Sequence, residues 1–203
     1  MQAIVHAGRF QASPKESHVL VVKRIFRYLK GTMDYGLWYP KGNELTLVAY
    51  IDADWADSVD DRKSTSAAAF YLRDCLVSWM SKKQSSVTLS TAEEEYIAAA
   101  ACCTQVLWMK QTLQDIQFNY EEPISILCDN TSAISISKNP VLHSKTKNIP
   151  IEYHFLREHV TDKHVKLEFL GTKEQVADIF TKPLPRDTFE YLRDRLGVIP
   201  APV

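Results

Sequence analysis

The stretch that decides the fold runs from Leu89 to Cys103, "LSTAEEEYIAAAACC", three consecutive glutamates at the mouth of an alanine-rich helix. Ser90 with Glu93, and Thr91 with Glu94, have the spacing of a capping box, which gives those two carboxylates a local structural task. Steps of four and three from Glu95 reach Ala99, Cys102, Val106, Met109, Leu113 and Ile116, an unbroken apolar stripe. Glu94 instead shares its face with Gln105, and Glu93 with Thr104, Gln111 and Gln114. The spacing predicts one helix from Ser90 to about Ile116, with Glu95 alone turned toward the core. A buried carboxylate is costly unless something positive meets it. The stretch therefore implies companions elsewhere in the chain.

Three aspartates qualify. "LTLVAYIDADW" alternates Leu45, Leu47, Ala49 and Ile51 on one side and reads as a strand, with Tyr50 and Asp52 on the other. Asp54 would share the side of Asp52 if the strand continued, and is the second choice. "ISILCD" reads as a short buried strand ending at Asp129, opposite Ile124, Ile126 and Cys128. Strand carboxyl ends are where open α/β sheets hold ligands. Asp178 lies in "VADIF". Taken singly, Asp129 also suits a helix N-cap, Asp52 a strand-end turn and Asp178 a solvated helix face. Together with Glu95 they form a set that would repel itself unless cations neutralise it. All-oxygen donors suit Mg²⁺ or Mn²⁺ rather than zinc. Two such ions about 3.5–4 Å apart suit in-line displacement at phosphorus. An EF-hand in "DADWADSVDD" is excluded, because the loop glycine and terminal glutamate are missing.

Around this set the chain reads as a mixed sheet with helices packed on it. "SAAAFYL" and "LVSWM" are expected as two further strands joined by a tight turn at Arg73–Asp74. A helix is expected near 131–138, another around 151–161, a last strand at "VKLEFL", and a final helix at "TKEQVADIFTK" capped by Thr172 with Gln175. Before all of these, "SPKESHVLVVKRIFRYLKG" reads as a helix capped by Ser13, with Pro14 first, Glu16 completing a capping box and Gly31 as its stop. Val22, Ile25, Phe26 and Leu29 form its apolar side, and Lys23, Arg27 and Lys30 a basic stripe.

Composition sets the limits. The 203 residues, 45% of them apolar and 24% charged, suffice for a well-packed domain. A net charge of −1 argues mildly against broad phosphate binding. Cys75, Cys102, Cys103 and Cys128 form no C-x-x-C pair and read as reduced, packed thiols. No apolar run reaches membrane-span length and "MQAIVHAGRF" lacks a signal-peptide pattern, so the expectation is an intracellular protein without membrane association.

The stretches "KRIFRYLKGT", "YIDADWA", "DDRKSTS", "VSWMSKKQ", "STAEEEYIAAA", "LCDNTSAI", "KNPVLHSKTK", "YHFLREHV" and "QVADIFTKPL" together resemble the ribonuclease H domain of a copia-type LTR-retrotransposon Pol polyprotein, from about residue 10 to 197. The resemblance implies an α/β ribonuclease H-like fold, a five-stranded mixed sheet flanked by helices. It divides the chain into residues 1–40, a remnant resembling the end of a reverse transcriptase, residues 41–197, the ribonuclease H domain, and a tail at 198–203. It implies an endoribonuclease that cuts the RNA strand of an RNA–DNA hybrid with two Mg²⁺ or Mn²⁺ ions, held by the catalytic acids Asp52, Glu95, Asp129 and Asp178. Substrate contacts are expected from Lys82, Lys83 and Gln84 in the loop before the long helix, from Ser90 and Thr91 at its mouth, and from Asn130. A reverse transcriptase domain in the parent polyprotein is the expected partner.

Departures from the family pattern are local. Asn148 and Pro150 stand in "NIPIEYHF" where many relatives read "HIDIRYHF", and no histidine precedes Asp178 in "LGTKEQVAD", which leaves His154 or His159 as substitutes. No polymerase active-site "DD" motif on a hairpin is present. Two alternatives stand beside the nuclease. One is a catalytically silent nucleic-acid-binding or interaction module from a truncated retroelement, and the other is a related metal nuclease acting on DNA.

Overall fold

The computed structural model describes residues 4, 7–8, 10–42, 45–54, 62–139 and 154–201. In chain order the elements are α1 (Glu16–Gly31), β1 (Tyr35–Leu37), β2 (Leu47–Asp54), β3 (Thr65–Leu72), β4 (Cys75–Lys83), α2 (Thr91–Asp115), β5 (Ile124–Cys128), α3 (Thr131–Lys138), α4 (Phe155–Thr161), β6 (Val165–Phe169), two 3₁₀ turns (Thr172–Glu174 and Val176–Phe180), α5 (Arg186–Arg195) and β7 (Val198–Pro200). Five strands form one sheet in the order β4-β3-β2-β5-β6. The β2–β3 and β3–β4 pairs are antiparallel, and β2–β5 and β5–β6 are parallel. With helices packed on both faces, this is a ribonuclease H-like fold, as the resemblance implied.

Local chemistry explains the strands. Arg73 and Asp74 both have positive φ, 53° and 58°, as a two-residue turn matched to strand twist requires, and Leu72 pairs with Cys75 across it. β3 is buried on both faces because each face carries a layer. On one, Leu47, Ala49, Ile51, Phe70 and Ile126 pack against Ala99, Cys102 and Val106 of α2. On the other, Ala69, Tyr71 and Leu76 pack against Val176, Leu192 and Leu196. Small residues at 67–69 let both layers approach closely.

Several expectations are corrected. Helix α1 starts at Glu16 with Lys15 at the N-cap, not Ser13. The Lys15 N–H donates to His18 Nδ1 at 3.0 Å, so a ring nitrogen performs the task assigned to Glu16. None of its residues is buried. β4 runs on to Lys83, which puts Lys82 and Lys83 on a strand end rather than in a loop. The final helix expected at 172–182 is two 3₁₀ turns instead. The second is capped by Gln175, whose Oε1 accepts from the Ala177 N–H. A longer helix, α5, follows Pro185 and covers the second layer. Helix α4 begins at Phe155 in the described residues, and the expected start at 151 lies outside them, as do Asn148 and Pro150. The segments set apart as 1–40 and 198–203 meet, because β1 and β7 form a small antiparallel ladder pairing Gly36 with Ile199.

Candidate metal centre at the carboxyl end of the sheet

β2 and β5 are parallel neighbours, with Tyr50 opposite Leu127. Continuing that register by two residues sets Asp52 beside Asp129, one strand spacing apart. Glu95 enters from the first turns of α2. Its Oε1 accepts the Ala53 N–H at 3.1 Å and its Oε2 lies 3.8 Å from the Cys128 thiol, so it bridges the two strands. One carboxylate oxygen from each of Asp52, Glu95 and Asp129 lies within 4.8 Å of the others. Asp54, the second choice, is outside that group.

Asp178 reaches the cluster from the second 3₁₀ turn, but by way of a residue that the sequence reading missed. The Lys182 ammonium lies 3.0 Å from Asp178 Oδ1 and 3.7 Å from Asp52 Oδ2. The Asp178 contact is the shorter of the two ion pairs. The signal was present: the i, i+4 spacing of Asp178 and Lys182 joins opposite charges across a helical turn. Two threonines add to the set. Thr172 Oγ1 donates to Asp129 Oδ2 at 2.9 Å, and Thr181 Oγ1 donates to Asp52 Oδ2.

Asp129 is not a cap. The following residue takes that role, with Asn130 Oδ1 accepting from the Ser132 and Ala133 N–H groups at 3.0 Å each. Ser90 caps α2 as expected, accepting from the Glu93 N–H at 3.3 Å, while the Glu93 carboxylate reaches back one residue further, to the Leu89 N–H. Glu94 departs most from expectation. It is no solvated cap partner but is 2% exposed, with Oε2 unpaired. All three glutamates are buried because the N-terminal half of α2 is enveloped. It touches β2, β3 and β5 on one side and α3 and α4 on others.

The electrostatics follow from that burial. Desolvation pushes the Glu95 carboxyl up to about 9, helped by the charges of Asp52 and Asp129 and opposed by the Ala53 N–H. Glu94 rises to about 8, again through desolvation, with the Ser64 hydroxyl pulling it back. Asp178 rises to about 7 through burial and the Asp52 charge. Burial pulls Lys182 down, but Asp52 and Asp178 outweigh it and hold the amine above its ordinary value. The site carries more negative charge than its own residues neutralise.

The other expected contacts are spread around it. Register along β4 sets Lys83 on the Asp52 face of the sheet and Lys82 on the α2 face. Thr91 is exposed at the mouth of α2. Gln84 is buried, its Nε2 donating to Ser66 Oγ at 2.8 Å and to the Glu94 carbonyl at 3.0 Å, so it ties α2 to β3. His159 shares a 3.0 Å contact with His164 just before β6 starts, at the end of the sheet away from Asp129. All four cysteines are free thiols.

No family model matches the chain. It is 39% identical over 200 residues to the retrovirus-related Pol polyprotein from transposon RE1 of Arabidopsis thaliana, covering 98% of this chain and 14% of that protein. It is 39% identical over 199 residues to the corresponding polyprotein from transposon TNT 1-94 of Nicotiana tabacum, covering 96% of this chain and 15% of that one. Among solved structures, the N-terminal ribonuclease H domain of a Mycobacterium tuberculosis protein, fused to maltose-binding protein, aligns with 74% of this chain and 98% of its own, at 10% identity and a TM-score of 0.46. The strand order β4-β3-β2-β5-β6 and the helices on both faces give the chain its ribonuclease H-like fold. By sequence it is homologous, over nearly its whole length, to retrovirus-related Pol polyproteins of copia-type transposons, of whose length it spans about a seventh.

Proposed function

We propose that this chain is a divalent-cation-dependent ribonuclease H that hydrolyses the RNA strand of RNA–DNA hybrids. The observation that carries the reading is the convergence of Asp52, Glu95 and Asp129 from three separate elements onto one point at the strand ends. Homology to Pol polyproteins supplies the context.

The donor set fits a hard cation. Every donor in the group is a carboxylate oxygen, and the neighbouring Cys128 thiol is held far above its ordinary range by burial, so it offers no soft thiolate. Unneutralised burial of Glu95 is the expense that a bound cation would remove. Divalent cations held by Asp52, Glu95, Asp129 and Asp178, two in this reading, would activate the attacking water and stabilise the departing 3′ oxygen.

The remaining work belongs to the chain's own groups. The Thr172 hydroxyl donates to Asp129 and the Thr181 hydroxyl to Asp52, which restrains the rotation of both carboxylates. Ser90 and Asn130 use their side-chain oxygens in capping, and each still carries a donor, an O–H and an NH₂. Donors suit phosphate oxygens and the 2′-hydroxyl oxygen, by which RNA is told from DNA. Lys82, Lys83 and Thr91 complete the proposed substrate contacts, and Gln84 serves as a positioning residue for α2. A reverse transcriptase region of a longer polyprotein is the proposed partner, with residues 1–40 as the end of that region. Among the described residues no helix is long and apolar enough to cross a membrane.

The test is cleavage of an end-labelled RNA–DNA hybrid with Mg²⁺ or Mn²⁺. Cutting confined to the RNA strand, with duplex DNA spared and activity lost in Asp129→Asn, is the expected result. Binding without cleavage in either metal would replace the reading with a silent nucleic-acid-binding module, and equal cutting of duplex DNA with a DNA nuclease.

A further inference from the structure

Lys182 occupies an unusual place. Its side chain is one-third exposed, yet its ammonium sits between two buried carboxylates contributed by different elements, Asp52 of β2 and Asp178 of the second 3₁₀ turn. Asp129 adds to the same field. The grouping of oxygens close enough to share an ion takes in Asp52, Glu95 and Asp129 and leaves out Asp178, the acid that Lys182 engages. Among the described residues Glu95 and Asp129 thus have no ion-pair partner, whereas Asp52 and Asp178 share a cation tethered to the chain.

We propose that Lys182 is a resident counter-cation, whose ammonium fills the space between Asp52 and Asp178 in the ion-free protein and must withdraw before a second divalent cation is taken up there. This rests on the metal-dependent reading above and goes beyond it. It assigns the two ion positions unequal affinities and names the residue that makes them unequal.

The geometry gives the device its reach. Lys182 immediately follows Thr181, which is anchored to Asp52, so its backbone is fixed while the four-carbon stem is free to swing. Solvent access on one side gives the ammonium a wet position to move to. A monovalent charge at 3–4 Å from each carboxylate competes with a divalent ion for the same oxygens. In the ion-free state it also offsets repulsion between Asp52 and Asp178, which lets the fold tolerate an empty cluster.

The measurement is equilibrium Mn²⁺ binding without substrate, by titration calorimetry and by the loss of free-ion signal in electron paramagnetic resonance. The native chain is expected to bind one ion more tightly than the other. In Lys182→Met the weaker site should tighten, by roughly tenfold for the loss of a competing unit charge at this range, while Lys182→Arg should keep it weak and Lys110→Met, remote on α2, should leave both sites unchanged. Melting in EDTA should be lower for Lys182→Met than for the native chain, with the gap closing in Mn²⁺.

A measurement on the unsubstituted protein guards against a variant that fails to fold. Amine acylation of Lys182, read by mass spectrometry, should rise when Mn²⁺ is added, because the ammonium is released. Equal or weaker Mn²⁺ binding by Lys182→Met, or Lys182 labelling that is unchanged or falls with Mn²⁺, would overturn the proposal while leaving the metal-dependent reading intact. A native chain that binds no Mn²⁺ would overturn both.

Discussion

At the carboxyl ends of β2 and β5, Asp52, Glu94 and Glu95 lie buried, whereas along α1 Val22, Phe26 and Leu29 lie exposed, Phe26 by 66%. Both regions break the rule that apolar groups go inside and charges outside, in opposite directions and for different physical reasons. Buried carboxylates lower stability unless a ligand repays them, so their persistence points to a ligand of opposite charge. An exposed apolar helix face costs little in isolation and contributes nothing to the core beneath it. One region is therefore a site that stability works against, and the other is a surface that stability ignores.

The largest contrast should appear in the core and on α1. Phe70 is fully enclosed between the sheet and α2, so Phe70→Ala should cost about 3–5 kcal/mol in denaturant unfolding. Phe26→Ala should stay within about 0.5 kcal/mol of the native chain, since alanine suits an exposed helix. Equal losses would mean that α1 is part of the cooperative unit and would break the comparison.

The pH dependence of the ion-free protein sharpens it. Glu94, Glu95 and Asp178 have folded values raised to about 8, 9 and 7, from ordinary values of 4.5, 4.5 and 3.8. Across that window the fold holds protons that the unfolded chain has released, so stability falls as pH rises. Melting temperature in EDTA should be highest near pH 4–5, decline toward pH 9 and level off, with the decline reduced by Mg²⁺. A flat or rising profile would mean that the acids are already neutralised within the chain.

A smaller effect is expected from Thr172→Val. It removes the hydroxyl donated to Asp129 while keeping the shape, and should lower hybrid cleavage by about five- to tenfold, or ~1 kcal/mol, with little change in melting. Loss of stability equal to the loss of activity would make Thr172 a packing residue rather than an orienting one.

How much of this was legible in the sequence varies with the kind of signal. Period-two alternation gave β2 and β5 and their terminal acids, because a strand buried on one side writes its pattern into every second residue. The helical stripe gave Glu95, and capping chemistry gave Ser90. The same arithmetic misplaced Glu94. It assumed that α2 had a solvent face, yet "AAAA" at 98–101 offers none, and such a run marks a helix wrapped on all sides. The continuous helix expected around Asp178 is absent among the described residues, because Gln175 caps a second short turn there. Lys182 was missed because its partner Asp52 lies 130 positions away. Only the tertiary fold brings them together.

The central claim is that the buried acids form a cradle for divalent cations, and Glu95→Gln tests it most directly. Glutamine keeps the oxygen that accepts from the Ala53 N–H and removes the buried ionisable group. In EDTA at pH 7 the variant should be more stable than the native chain by about 1–3 kcal/mol, and added Mg²⁺ or Mn²⁺ should raise the melting temperature of the native chain but not that of the variant. A variant less stable than the native chain in EDTA, together with a native chain indifferent to either metal, would contradict the account.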